Sequence, residues 1–207
     1  MPIPLLWLGA ACSALTISEL ADDRCKQQRQ RRLYSQPKRL DKLQRDEAAV
    51  AMYPSEFFIT HQQAEPIVGA VVCCAIAGVL DHTGIWVGDD TIIELAGNGL
   101  IKGVSSERFT QQRSGSNIFI ACDSSAQPLA DPKAAQRAIE QLYQYQPYDV
   151  INNNCHQFIW RCYAPKSQGF TTFRTLNERL AHYFDRQIYW DSLVTKPRYR
   201  EMQHRTF

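Results

Sequence analysis

The chain has 207 residues, 44% hydrophobic and 21% charged, with a formal net charge of +2. That length holds one domain with a full-sized core plus an appendage, and the composition is that of an ordinary globular protein, not a low-complexity chain. So small a net charge singles out no partner, and an odd count of cysteines, seven, excludes complete pairing within one chain. The sequence has no zinc-type Cys-x-x-Cys pair. No metal or other cofactor is therefore expected, and buried thiols in a reducing compartment fit best.

Residues 3–21 are mostly apolar, with Leu5, Leu6, Trp7, Leu8, Leu15 and Ile17 among them and Glu19 inside the run. A spanning helix needs about 20 such residues. No basic residue precedes the run, so it lacks the charged front of a secretory signal. Its cations all follow it, which by the positive-inside rule keeps the downstream chain in the cytoplasm. The expectation is a membrane anchor over residues 1–21. An in-plane or core-packing helix and a cleaved signal are the alternatives.

The next segment, 22–54, reads as a helical linker rich in Gln, Arg, Lys and Ala, broken at Pro37. Between Arg24 and Arg45 it carries Lys26, Arg29, Arg31, Arg32, Lys38, Arg39 and Lys42 against the single acid Asp41. Behind an anchor, such a block would lie on anionic headgroups at roughly 1 kcal/mol per cation. A solvated helix face is the plainer alternative.

The globular part is expected over residues 55–190. The run from Val71 to Ala77, closed by Gly78, reads as a buried strand. His82–Val87 and Thr91–Leu95, joined through Gly88-Asp89-Asp90, read as a hairpin. Gly97-Asn98-Gly99 is a second turn, followed by strands over Leu100–Val104 and Asn117–Cys122. Together these predict an antiparallel meander. After Pro132, the positions Ala135, Ala138, Ile139, Leu142 and Tyr143 share a helical face, and Pro147 ends that helix. Asn152-Asn153-Asn154 then opens a helix from Cys155 to Tyr163, stopped by Pro165. A last helix is predicted from about Thr172 to Tyr189, and residues 191–207 form a basic tail. The fold class is α+β, a small antiparallel meander packed on helices with a helical anchor ahead of it.

Cys155 falls in the first turn of its helix. Partial positive charge and N–H groups there lower a thiol's pKa and can hold an oxyanion. It is the only cysteine so placed, although a buried helix cysteine is the commoner fate of that residue. Of the five histidines, His82 opens a strand in an otherwise apolar run, where an imidazole needs a reason. His156 adjoins the thiol, but neighbouring helix residues point about 100° apart, which aims it poorly. Glu94 interrupts Thr91-Ile92-Ile93-Glu94-Leu95, and a carboxylate in such a run is costly unless paired. His82 and Glu94 share a face of the hairpin only if its loop has an odd number of residues. Cys155 as nucleophile, His82 as base and Glu94 as orienting carboxylate are the expected catalytic set. Trp86, Asn154 and His156 are the expected substrate-binding residues.

The sequence His82-Thr-Gly-Ile-Trp-Val-Gly-Asp-Asp-Thr-Ile-Ile-Glu94-Leu, followed by Asn154-Cys155-x-x-Phe158, resembles the lecithin:retinol acyltransferase family. The resemblance covers Pro66 to Tyr163, about half the chain. It implies a permuted NlpC-type papain-like fold, with His before Cys in chain order. It also implies acyl transfer or hydrolysis through a thioester on Cys155. Two departures stand out. The animal enzymes of that family have a second His where this chain has Glu94, and they read Asn-Cys-Glu-His-Phe where this chain has Asn154-Cys155-His156-Gln157-Phe158.

The expected function is therefore a membrane-anchored, cytoplasm-facing thiol acyltransferase or hydrolase. Its partners would be a lipid or acylated small molecule and the membrane surface, not nucleic acid. A cysteine peptidase or amidase of the NlpC type is the alternative within enzymes. A binding module on the same fold is the alternative outside them.

Overall fold

A computed structural model of the chain describes residues 63–76, 80–111, 117–166 and 172–194. The expected anchor, the basic linker and most of the carboxy-terminal tail lie outside the described residues. Among the described residues, no helix is long and apolar enough to cross a membrane.

The fold is α+β, built on one mixed seven-stranded sheet. In chain order its elements are β1 Gln63–Ala64, β2 Val71–Ile76, β3 Leu80–Gly88, β4 Thr91–Leu95 and β5 Ile101–Ser105. Then come α1 Ser106–Thr110, β6 Phe119–Cys122, α2 Pro132–Ile139, α3 Cys155–Tyr163, α4 Phe173–Phe184 and β7 Tyr189–Leu193. The spatial order of strands is β1-β7-β6-β2-β3-β4-β5, with only the β1–β7 pair parallel.

The predicted meander is present in β2 to β5, each antiparallel to the next. It does not continue into β6, which returns to the free side of β2 and pairs there through Val72↔Ile120 and Cys73↔Phe119. Strand β7 then adds outside β6. In the sequence its residues read as the end of a helix and the start of a tail. Helix α4 instead stops at Phe184, with Asp185 left-handed at φ 50°. The chain then enters a strand with Trp190 and Asp191 buried.

Both faces of the sheet are covered. Val71, Cys73, Ile85, Ile93, Phe119 and Ala121 face the helical layer of α2, α3 and α4, against Ala135, Phe158, Ile159 and Leu176. The alternate residues Val72, Cys74, Trp86, Ile92 and Ile120 face the other way and close on Phe109 of α1. Two buried faces explain why β2 reads as a continuous apolar run instead of alternating.

The helix after Pro132 is shorter than its periodicity suggests. It starts as predicted, with Asp131 capping through Lys133 N and Pro132 in the first turn, but ends at Ile139. Tyr143 adopts φ 64°, and its N–H donates to the Ile101 carbonyl while Ile101 N–H donates to Gln144 O. Main-chain bonds to the entry of β5 thus take over where intrahelical bonds would continue. Ile139 and Tyr143 are exposed as a result.

Candidate active site

The carboxylate–imidazole pair depends on the local shape of the β3–β4 hairpin. Gly88 pairs with Thr91 across a two-residue loop, Asp89-Asp90, whose φ values are 46° and 53°. Both central residues being left-handed is the primed turn that matches the twist of a hairpin. An unbroken register from that turn would place His82 and Glu94 on opposite faces. A β-bulge intervenes: Trp86 pairs with Ile92 and Ile85 with Ile93, leaving Val87 extra. Carried outward, this register sets Gly84 opposite Glu94 and His82 diagonal to it, on one face. The odd-loop requirement is thus met by a two-residue loop plus a bulge.

His82 Nε2 lies 2.7 Å from Glu94 Oε2. His82 is 4% exposed and Glu94 1%, so the pair is out of bulk water. The second carboxylate oxygen faces Lys102 Nζ at 3.5 Å, directly across β5 in the register Glu94↔Lys102. Phe109 stacks obliquely on the His82 ring at 5.3 Å between centroids. Gly84 is what lets Phe109 and Ile92 close up there. A Cβ at Gly84 would meet Ile92 Cγ2 at 2.4 Å and Phe109 Cε2 at 3.0 Å.

The thiol is supplied by α3. Asn154 is its N-cap, accepting from Gln157 N–H at 3.0 Å and donating from Nδ2 to Val150 O at 2.9 Å. Cys155 is therefore the first helical residue, within the first turn where the sequence puts it. It lies within hydrogen-bonding reach of the His82 ring. With Nε2 taken by Glu94, Nδ1 is the nitrogen left for the sulfur. His156 Nδ1 stands 3.8 Å from Sγ and 3.1 Å from Thr83 Oγ1. That overturns the expectation that His156 is aimed away from the thiol. A helical wheel does not see Thr83, which holds the ring from β3.

Burial alone would push the Cys155 thiol up, but the imidazoles of His156 and His82 outweigh it and hold the thiol well below its ordinary range. Burial would likewise pull His82 down. The thiolate beside it, and then Glu94, outweigh that and raise the ring above its ordinary value. The signs agree. The thiolate is present once pH exceeds the lowered thiol value, and the imidazolium persists until pH passes the raised ring value. The ion pair occupies the window between, widened at both ends.

Of the expected substrate-binding residues, His156 is beside the sulfur. The Asn154 side chain is engaged in capping. Trp86 is packed in the apolar cluster with Phe109 and Ile92. Lys102 and Thr83 were missed by sequence reasoning. The count from Glu94 through the Gly97–Gly99 turn would have found Lys102. Thr83 had no local signal. Among the described residues no group of three or more His, Cys, Asp or Glu side chains is arranged to hold a metal ion. No protein-family model and no curated protein matches the chain.

Proposed function

We propose that the chain is a cysteine-nucleophile acyltransferase or hydrolase that carries an acyl group as a thioester on Cys155. The observation that carries this reading is a capped helix start holding a depressed-pKa thiol at an imidazole whose far nitrogen is bound to a buried carboxylate at 2.7 Å. Those are the parts a thiol nucleophile needs: low pKa, an adjacent base and a third group that orients the base.

In this mechanism the Cys155 thiolate attacks the carbonyl carbon of an ester or amide. The first-turn backbone N–H of α3, which no helix carbonyl satisfies, offers a place for the oxyanion. The bond to the leaving alcohol or amine breaks, and the His82 imidazolium gives that group its proton. His82 then removes a proton from water or an acceptor as it attacks the thioester, and the thiolate returns. Glu94 stabilises the charged ring in both steps.

The motif resemblance to the lecithin:retinol acyltransferase family supports an acyl donor of lipid or acylated character and a permuted NlpC-type topology. The order of a strand histidine before a helix cysteine agrees with that permutation. Residues 1–21 serve as membrane anchor in this reading, the basic segment lies on headgroups, and the catalytic domain faces the cytoplasm. Intact mass spectrometry after incubation with a membrane lipid extract tests it. The expected result is an added acyl mass on Cys155 that neutral hydroxylamine removes and that Cys155→Ala lacks. Adducts only from peptide or amide substrates would move the assignment to an amidase. A Cys155 unreactive toward all of them and toward thiol probes would leave a binding module. Removing residues 1–21 should shift the protein from the membrane to the soluble fraction, and a full-length chain already soluble would remove the anchor.

A further inference from the structure

The sulfur has a second imidazole beside it that the mechanism above does not use. The His156 ring is buried and held by two neighbours. Thr83 of β3 holds Nδ1 at 3.1 Å, Phe173 of α4 packs on the ring at 5.5 Å between centroids, and the residue is 7% exposed. The same Nδ1 that meets Thr83 Oγ1 faces Cys155 Sγ at 3.8 Å. A single nitrogen set against a hydroxyl oxygen and a sulfur has two possible states. As N–H it donates to both. As a bare nitrogen it accepts from the Thr83 hydroxyl and turns a lone pair toward the sulfur, which a thiolate opposes.

We infer that His156 is a fixed hydrogen-bond donor to the Cys155 thiolate through Nδ1–H, oriented by Thr83, so that the sulfur sits between the His82 base on one side and a second donor on the other. The inference rests on the reading of Cys155 as a nucleophile. It makes His156 part of the catalytic group instead of a substrate contact, because it touches the reacting atom.

The wild-type test is a long-range nitrogen–proton NMR spectrum of the full chain with labelled histidine at neutral pH, with the His156 signals assigned by their loss in His156→Asn. The expected result is the Nδ1–H tautomer, and an Nε2–H tautomer with bare Nδ1 overturns the inference. The kinetic test is the rate of Cys155 alkylation by iodoacetamide near pH 6, per folded molecule. His156→Leu should slow it about tenfold, the order expected from losing one hydrogen bond to a charged group. His156→Asn, which keeps an amide N–H near the position of Nδ1, should recover most of the rate. Two variants as fast as wild type, or two equally slow, overturn the inference. His82→Ala separates this from the reading beneath it. If alkylation of His82→Ala matches wild type, the nucleophile reading itself falls. If His82→Ala is slow while both His156 variants are normal, only the second-donor inference falls.

Discussion

Cys155 and Cys162 lie on the same helix, α3, and their surroundings push them in opposite directions. Cys155, at the helix start, has two imidazoles that overcome its burial. Cys162, in the last turn, is pushed up to about 12 by burial, which Arg161, Gln141 and Arg137 only partly offset. Low-dose iodoacetamide near pH 6 should therefore label Cys155 ahead of Cys162 and of the buried Cys73, Cys74 and Cys122, because only the thiolate reacts. Peptide mapping reads this directly, and equal labelling of Cys155 and Cys162 would count against an activated thiol. A second prediction concerns Glu94, which touches both His82 and Lys102. Its contact to Lys102 is 3.5 Å long and reaches a side chain 41% exposed, the kind of pair that contributes little to stability. Its contact to His82 is 2.7 Å and buried. Glu94→Gln should therefore lower turnover by roughly one to two decades, the cost of losing a charge-assisted hydrogen bond of about 1.5–3 kcal/mol. Lys102→Met should leave turnover within a few-fold. Measuring melting temperature and turnover on the same samples decides. If Lys102→Met loses as much activity as Glu94→Gln, the carboxylate acts as a hairpin brace and not through the imidazole.

The start of α3 and the β3–β4 hairpin differ in how openly they announce themselves. Three asparagines ahead of an apolar run are a local signal for a cap among them and for Cys155 in the first turn, and Asn154 is the one that caps. The hairpin is legible as two strands and a turn, but its register is not. Val87 reads as an ordinary strand residue, and only the pairing of Trp86 with Ile92 shows it to be a bulge. Tertiary context, not sequence pattern, thus brings His82 and Glu94 to one face. It also brings Thr83 to His156, a contact across 73 residues of chain that no periodicity encodes. The capping residue offers a way to separate helix stability from thiol chemistry. Asn154→Ala should cost about 0.5–2 kcal/mol through loss of the cap. Asn154→Asp keeps an acceptor for Gln157 N–H but loses the Nδ2 donation to Val150 O, so it should melt between the alanine variant and wild type. The added negative charge next to the thiolate should nevertheless slow Cys155 alkylation, since a like charge disfavours the ionised sulfur. Melting curves and alkylation rates near pH 6 test the two halves independently. An Asp variant as reactive as wild type would mean that the helix start contributes little to the thiol's pKa.

At the scale of the whole molecule, the sequence yields the consecutive hairpins of the sheet and the positions of three helices, because those depend on local periodicity and caps. It does not yield the strand order. The return of β6 to β2, and the entry of β7 between β6 and β1, bury surfaces contributed by residues far apart in sequence. Strand β7 is the clearest loss. Tyr189-Trp190-Asp191 follows a strong helical pattern and carries no turn residue after Asp185 to mark a change of period. Yet it is structurally central. It lies between β1 and β6, pairing Ser192 with Gln63 on one side and Phe119 on the other. Trp190 is 1% exposed, packs on Phe173 at 5.2 Å between centroids, and donates from Nε1 to Asn177 Oδ1 at 2.8 Å. Phe173 is also the ring against His156. The support beneath the candidate site therefore runs from β7 through Phe173 to His156. A chain ended after Val194 should fold, whereas one ended after Ile188 should not, because it strips β6 of a partner strand and empties the Trp190 site. Within the full chain, Trp190→Ala should cost about 3–5 kcal/mol as a large-to-small core change. Trp190→Phe keeps most of the packing but leaves Asn177 Oδ1 without its donor, at about 1–3 kcal/mol. If the support runs as described, Trp190→Phe should also disturb alkylation of Cys155 less than Trp190→Ala does, in molecules still folded. Chemical denaturation and alkylation on the same preparations measure both. A chain ended after Ile188 that melts cooperatively near wild type would show β7 to be an addition to the fold instead of a part of it.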